Sequence, residues 1–249
     1  MGKYIAVFNQ KGGVGKTTTV VNLADALAFG GKKVLILDLD PQGNATSGLN
    51  VEKDRENMIY DFLLGSEEDP VVHIKENLDL IPSGSTLAGI EIEFAQTEGW
   101  QMILKERLKQ LEGYDYILMD CPPSLGILSI SALAACDSIL IPVQCEYYAL
   151  EGLSQLMESI QLVRNGFNPS LEIEGVVLTM YDGRTNLSML VVEEVKSYFK
   201  DKVFSTVIPR NVRLAEAPSY GKSILDYDAK SRGAKAYIAL AEELIGRDA

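Results

Sequence analysis

The sequence predicts an α/β fold, a mostly parallel twisted sheet flanked by helices on both faces, and three observations carry the prediction. Short apolar runs rich in β-branched residues alternate along the chain with longer segments whose apolar residues recur at three- and four-residue spacing. The runs are apolar at successive positions, as strands buried on both faces are. The alternation continues without a Pro/Gly/Ser-rich or charge-block linker, so residues 1–249 read as one domain.

In chain order, residues 4–8 read as the first buried strand, 17–29 as the first amphipathic helix and 34–37 as the second strand. An acidic stretch over 52–75 follows, with a short helix expected around 58–64 and the single histidine, His73, in a loop-like setting. Its surface reads as an ordinary solvated face or a partner site. Residues 78–81 form the next strand and 86–111 one long helix. Strands at 116–119, 138–141 and 173–179 then alternate with helices at 125–135, 150–165 and 187–199. In an open parallel sheet, ligands bind beyond the carboxyl ends of the strands, so the residues just after each strand are the candidates for chemistry.

Composition narrows that chemistry. A chain with 47% apolar and 23% charged residues is neither disordered nor fibrous. Its net charge of -12 argues against a surface that grips nucleic acid or an anionic membrane as a whole. No apolar run approaches the roughly 18 residues of a spanning helix, and Asn9-Gln10 comes too early for a signal segment, so a cytoplasmic protein is expected. Cys121, Cys136 and Cys145 lack CxxC spacing and read as buried thiols. With one histidine, the chemistry falls to Lys, Asp, hydroxyls, backbone amides or a bound ion.

The first strand runs into Gln10-Lys11-Gly12-Gly13-Val14-Gly15-Lys16-Thr17-Thr18, which opens directly into a helix. Gly12, Gly13 and Gly15 remove side chains so that successive N–H groups converge on phosphate oxygens, and the helix amino end adds its dipole. Lys16 is placed to reach β- and γ-phosphates, and the Thr17 hydroxyl to ligate Mg²⁺. The loop departs from the usual P-loop pattern, which has glycine where Gln10 stands, and a dinucleotide fingerprint would need Gly or Ala where Thr18 stands. Lys11, at the rim, reads either as a solvated flanking charge or as a second cation that one subunit presents to nucleotide held by another.

Two further strand ends carry carboxylates. Asp38 and Asp40 stand two apart, on one face at the end of the second strand, and the following Pro41-Gln42-Gly43-Asn44 fixes a turn. Asp40 is the candidate for orienting an attacking water, with Asp38 in a supporting electrostatic role. The run 116–119 ends in Asp120, a candidate Mg²⁺ ligand, directly or through water. Pro122-Pro123 stiffens the segment that follows, as a γ-phosphate-sensing switch requires, and Cys121 reads as packing.

Lys11 to Thr18 resembles the deviant Walker A motif of the MinD/ParA superfamily, and the segment after the second strand resembles its Walker A′. Within that superfamily the chain is most similar to the ParA/Soj-type partition ATPases, in runs 38–48, 142–152 and 207–213. The resemblance implies a P-loop NTPase-type fold, with ATP and Mg²⁺ held by residues 11–18, Val14 and Thr18 included, and adenine contacts from Pro209 and Asn211. It implies an ATP-dependent homodimer in which each Lys11 reaches across to the other subunit's phosphates. It also implies non-specific double-stranded DNA binding and a ParB-type centromere-binding partner that stimulates slow hydrolysis, so as to segregate chromosomes or plasmids. No room for an N-terminal helix-turn-helix domain is expected, because the lysine motif begins at residue 11.

DNA binding has to be reconciled with the acidic balance. Residues 184–235 hold 10 basic against 6 acidic side chains, among them Arg184, Arg210, Arg213, Lys222, Lys230 and Arg232. They read either as scattered solvated charges or as a basic face that two subunits make continuous. Arg184 and Arg213 are the favoured contacts. A MinD-like membrane ATPase would need a basic C-terminal amphipathic helix where residues 239–248 are acidic and short, so no stable membrane association is expected. An iron-sulfur carrier would need cysteines placed differently, and a small-molecule ligase remains as a further alternative.

Overall fold

The computed structural model describes residues 2–146 and 149–248. Eight strands form one sheet: β1 Lys3–Val7, β2 Val34–Asp38, β3 Val72–Lys75, β4 Leu78–Ile81, β5 Tyr116–Asp120, β6 Ser138–Gln144, β7 Glu172–Tyr181 and β8 Val203–Pro209. Their order is β3-β4-β2-β5-β1-β6-β7-β8, with every pairing parallel except the antiparallel β3–β4 edge. The helices are α1 Lys16–Phe29, α2 Asn44–Gly48, α3 Ile59–Leu64, α4 Ile90–Ala95, α5 Ile103–Leu108, α6 Ile127–Ala135, α7 Ala149–Gly166, α8 Asn186–Phe199, α9 Val212–Glu216, α10 Ile224–Asp228 and α11 Arg232–Arg247. Tyr147 and Tyr148, in the middle of one of the family-like runs, lie outside the described residues.

The uninterrupted apolar strands have the reason expected of them. Ala6, Leu35, Leu37, Ile117 and Met119 face a core closed by α3 to α8, while Ile5, Val7, Val34, Ile36 and Leu118 face a second core closed by α1, α10 and α11. Successive residues point to opposite faces, and both faces are dry. Helix α1 is buried at eleven of its fourteen positions, including Lys16, Asn22 and Asp25, so the helix that begins at the glycine loop is locked into the core.

Three expectations change. The long helix over 86–111 is broken: α4 ends at Ala95, exposed residues 96–99 follow, and the single 3₁₀ turn Trp100–Met102 leads into α5. Gly99, just before that turn, has φ 74, a left-handed conformation that a continuous helix cannot contain. His73 lies on β3, opposite Asp79 on β4, with its Nδ1 2.8 Å from the Asp79 Oδ1. The elements read from the sequence stop with the helix at 187–199 and so miss β8 and α11. In α11, Tyr237, Leu240, Ala241 and Leu244 are buried in helical spacing against the second core.

Candidate active site

Insertion of β5 between β1 and β2 brings the three candidate loops to one crevice. In register, Val7 and Asp38 both pair with Asp120, so the glycine loop, the Asp38–Asp40 turn and Asp120 leave adjacent strands at the same carboxyl end. That is where an open parallel sheet binds its ligand.

The glycine loop is held from several sides. Gly13 and Gly15 have φ 73 and 89, so side chains there would be strained even in open space. The Thr179 hydroxyl on β7 donates to the Val14 carbonyl at 2.8 Å. Asn9 accepts from the Lys11 N–H at 3.0 Å and donates to the Pro142 carbonyl at 2.8 Å, while Gln10 donates to Ser159 Oγ on α7 at 2.9 Å. Asn9 and Thr179 escape sequence reasoning because each meets a partner far along the chain, Pro142 on β6 for Asn9 and Val14 of the glycine loop for Thr179; a polar residue at the end of an apolar run is the only local signal.

Lys16 is buried, and its Nζ donates to the Lys11 carbonyl at 3.2 Å. Burial lowers its pKa, while Asp120, Cys121 and Asp40 oppose the shift. The Lys11 ammonium, by contrast, forms no ion pair or hydrogen bond among the described residues.

Asp120 is fully buried, and neither of its carboxylate oxygens has a hydrogen-bond partner. Burial pushes its pKa well above the usual carboxylate range and Asp38 adds to the shift, while Thr17 and Lys16 pull it back. Two orphaned buried oxygens beside a threonine hydroxyl and a lysine form a donor set that fits a hydrated divalent cation. Asp38 is fully buried as well; burial raises it to about 6 against the hydrogen bonds that Thr46 and Asp40 donate to it. The Asp40 carboxylate accepts from the Gln42 N–H at 2.9 Å and borders a cavity of about 570 Å³ with Gly12, Lys16, Thr17 and Pro123.

A second cavity of about 410 Å³ adjoins it, sharing Gly15, Thr18 and Met180. Pro209, Asn211 and the Tyr237 ring line it. Asn211 caps α9 by accepting from the Arg213 N–H at 2.9 Å. Met180, at the junction of the two cavities, has φ 52, a strained conformation for a residue with a long side chain; nothing in the sequence marks it. One elongated cleft thus joins an end lined by the glycine loop, Lys16 and Asp40 to a more apolar end lined by Pro209, Asn211 and Tyr237.

Residues 2–173 match a family model described as an AAA domain. The chain is 59% identical to the sporulation initiation inhibitor protein Soj of Bacillus subtilis, covering 98% of each chain. It is 51% identical to the chromosome partitioning protein ParA of Myxococcus xanthus, covering 100% of this chain and 89% of that one. The chain belongs to the ParA/Soj family of partition ATPases. Among solved structures, a cobyrinic acid a,c-diamide synthase from Mycobacterium smegmatis with bound ATP analog and magnesium matches with a TM-score of 0.86 at 36% identity, over 98% of this chain and 95% of that one.

In this partition ATPase the basic residues of 184–235 are not equivalent. Arg184 makes a two-pronged pair with Asp182, at 2.8 and 2.7 Å. Arg213 pairs with Glu216 at 2.9 Å and approaches Asp228 at 3.7 Å, and Arg210 reaches Glu146 at 3.1 Å. Lys222, Lys230 and Arg232 are exposed and form no ion pair among the described residues. The favoured arginines are therefore partly neutralised within the chain, and the unpaired charge lies on the other three together with Lys196, Lys200, Lys202 and Lys235, which form no ion pair among the described residues either. Cys121, Cys136 and Cys145 are all buried free thiols.

Proposed function

We propose that this chain is an ATP-driven dimerising switch that binds DNA without sequence preference and positions chromosomes or plasmids with a ParB-type partner. ATP lies in the elongated cleft, with its phosphates on the amides of 12–18 and its adenine between Pro209 and Asn211. The observation that carries the reading is the contrast between two lysines of one loop: Lys16 is buried in the site, while Lys11 stands at its rim with its charge unpaired. A cation so placed is free to reach phosphates held by a second copy, which makes the dimer depend on ATP.

Thr17 and Asp120 would hold Mg²⁺, Asp120 through water, and the ion would supply positive charge to offset the charge that develops on the phosphates. Lys16 exchanges its bond to the Lys11 carbonyl for the β- and γ-phosphates. Asp40 orients the attacking water in line with the γ-phosphate and accepts its proton. Exposed Lys222, Lys230 and Arg232, with Arg184, Arg210 and Arg213 released from their acidic partners, supply phosphate contacts. One subunit offers few of them and two offer a continuous face, so ATP gates DNA affinity through dimerisation. A ParB-type partner then accelerates hydrolysis and releases the dimer.

The experiment is a DNA mobility shift at low salt with ATP, with ADP and without nucleotide, on the wild type and on Lys11→Ala. A shift with ATP alone, lost in Lys11→Ala, is expected. No shift with ATP overturns the reading, and flotation with liposomes would then redirect it to a membrane-positioning ATPase.

A further inference from the structure

We infer that Ser83, which belongs to no motif, and Thr46, which lies in the Walker A′-like segment but does not line the cleft, are positioning residues that hold Asp40 through a closed ring of hydrogen bonds; the inference rests on the proposed reading of Asp40 as the group that orients the attacking water. Asp38 Oδ1 accepts from the Asp40 N–H at 3.2 Å. The Asp40 carbonyl accepts from Ser83 Oγ at 2.8 Å. The Ser83 N–H donates to Thr46 Oγ1 at 2.8 Å, and Thr46 Oγ1 donates to Asp38 Oδ2 at 2.7 Å, which closes the ring. Asp38, Thr46 and Ser83 are each 0% exposed.

The ring joins three pieces of chain: the end of β2, the middle of α2 and the residue two past β4. Asp40 sits in the turn between the first two, where its carbonyl also accepts from the Gly43 N–H at 2.8 Å. With two donors on the carbonyl and one acceptor for its N–H, both peptide planes of Asp40 are fixed, and the Gln42 N–H then sets the direction of the carboxylate. The turn is pressed against Ser83: a Cβ on Gly43 would lie 2.7 Å from the Ser83 carbonyl oxygen. The strand end at β4 therefore dictates where a carboxylate 43 residues earlier points. Neither Ser83 nor Thr46 lines the cleft, so their effect reaches the reaction only through Asp40. Because the nucleotide is held by a different loop, loosening the ring slows turnover without weakening nucleotide binding.

The test uses the full chain and compares wild type, Ser83→Ala, Thr46→Val, Thr46→Ser and Asp40→Ala. Three quantities are read: single-turnover ATP hydrolysis, the Kd of a fluorescent ATP analogue, and amide exchange of residues 40–43 without nucleotide. A displacement of about 1 Å at a reacting group costs about 100-fold, so Ser83→Ala and Thr46→Val are expected to slow hydrolysis by about 10- to 100-fold. Their Kd stays within about twofold of wild type, as expected when only a transition-state interaction is lost, and the Asp40 and Gln42 amides exchange faster. Thr46→Ser keeps the hydroxyl and restores the rate. Wild-type hydrolysis in Ser83→Ala overturns the inference, as does a rate and affinity that fall together in all three ring variants. If Thr46→Val fails to fold, Ser83→Ala decides alone, because its backbone amide still bonds Thr46. Turnover in Asp40→Ala overturns the reading of Asp40 itself, and that arm leaves Ser83 and Thr46 untouched.

Discussion

Replacing Asp120 by Asn separates what this residue costs the folded chain from what it does for the bound ligand. Asp120 is 0% exposed, both oxygens lack partners, and Asp38 beside it is equally buried. Burying an unpaired polar group costs about 1–3 kcal/mol, more if charged. A neutral amide of the same shape stays unpaired but removes the extra cost of the charge, so nucleotide-free Asp120→Asn is expected to be more stable than wild type, on the order of 1 kcal/mol. For a chain of this length that is a rise in melting temperature of about 2–4 °C per kcal/mol. The pH dependence has a definite sign. Because the folded carboxyl binds its proton more tightly than the unfolded one, with its ordinary value of 3.8, wild-type stability falls as pH rises from 3.8 through the folded value. The advantage of Asp120→Asn therefore widens as pH rises from 3.8 towards the folded value. Melting curves in EDTA across that range measure it, and curves with ADP with and without Mg²⁺ measure the ligand side, where the variant loses most of the Mg²⁺-dependent stabilisation. An Asp120→Asn protein no more stable than wild type at pH 8, or one that keeps the full Mg²⁺ effect, would refute the assignment of a functionally strained carboxylate.

Lys16→Ala removes the buried cation of the loop and is expected to abolish nucleotide binding in an equilibrium titration, with ATP turnover falling to background. Lys75→Met leaves the buried Asp25 carboxylate, now 2.5 Å from Lys75 Nζ, with only the Ser223 hydroxyl; a loss of about 2 kcal/mol in urea unfolding is expected, at the low end for a broken buried pair because Lys75 is partly exposed. Burial works to lower the Lys75 pKa, but its pairs with Asp226 and Asp25 raise it overall above 10.5, so this stability is complete below 10.5 and disappears as pH climbs through the folded value. Lys222→Glu with Lys230→Glu is expected to weaken the ATP-dependent DNA shift more than Arg184→Glu does, since Arg184 is already paired with Asp182; equal losses would reject the unpaired lysines as the main contacts.

Much of the site is legible in the chain because its chemistry is local. Gly12 to Thr18 must be contiguous to wrap a phosphate, and Asp38 and Asp40 share a face because strands have a period of two. The break between α4 and α5 is missed by the helical pattern over 86–111, and Gly99, a weak point in any helix, is its only local signal. The acidic total of -12 says little about any single face, since screening over about 8–10 Å makes local charge matter more than the sum. Even the local count over 184–235 overstated the positive field, because pairing with Asp182, Glu146 and Glu216 depends on where side chains meet.

By itself the sequence determined the α/β class, the glycine loop and the carboxylates at the strand ends, all of which rest on neighbours within a few residues. Only the tertiary structure decided that β5 enters between β1 and β2, which makes Asp120 the neighbour of both the loop and Asp38. It also decided that Asn9, Thr179 and Ser83 hold the site from elsewhere in the chain. The reason is physical: strand order and long-range hydrogen bonds are fixed by burying two apolar faces at once, and no local pattern of residues encodes which distant strand will lie alongside.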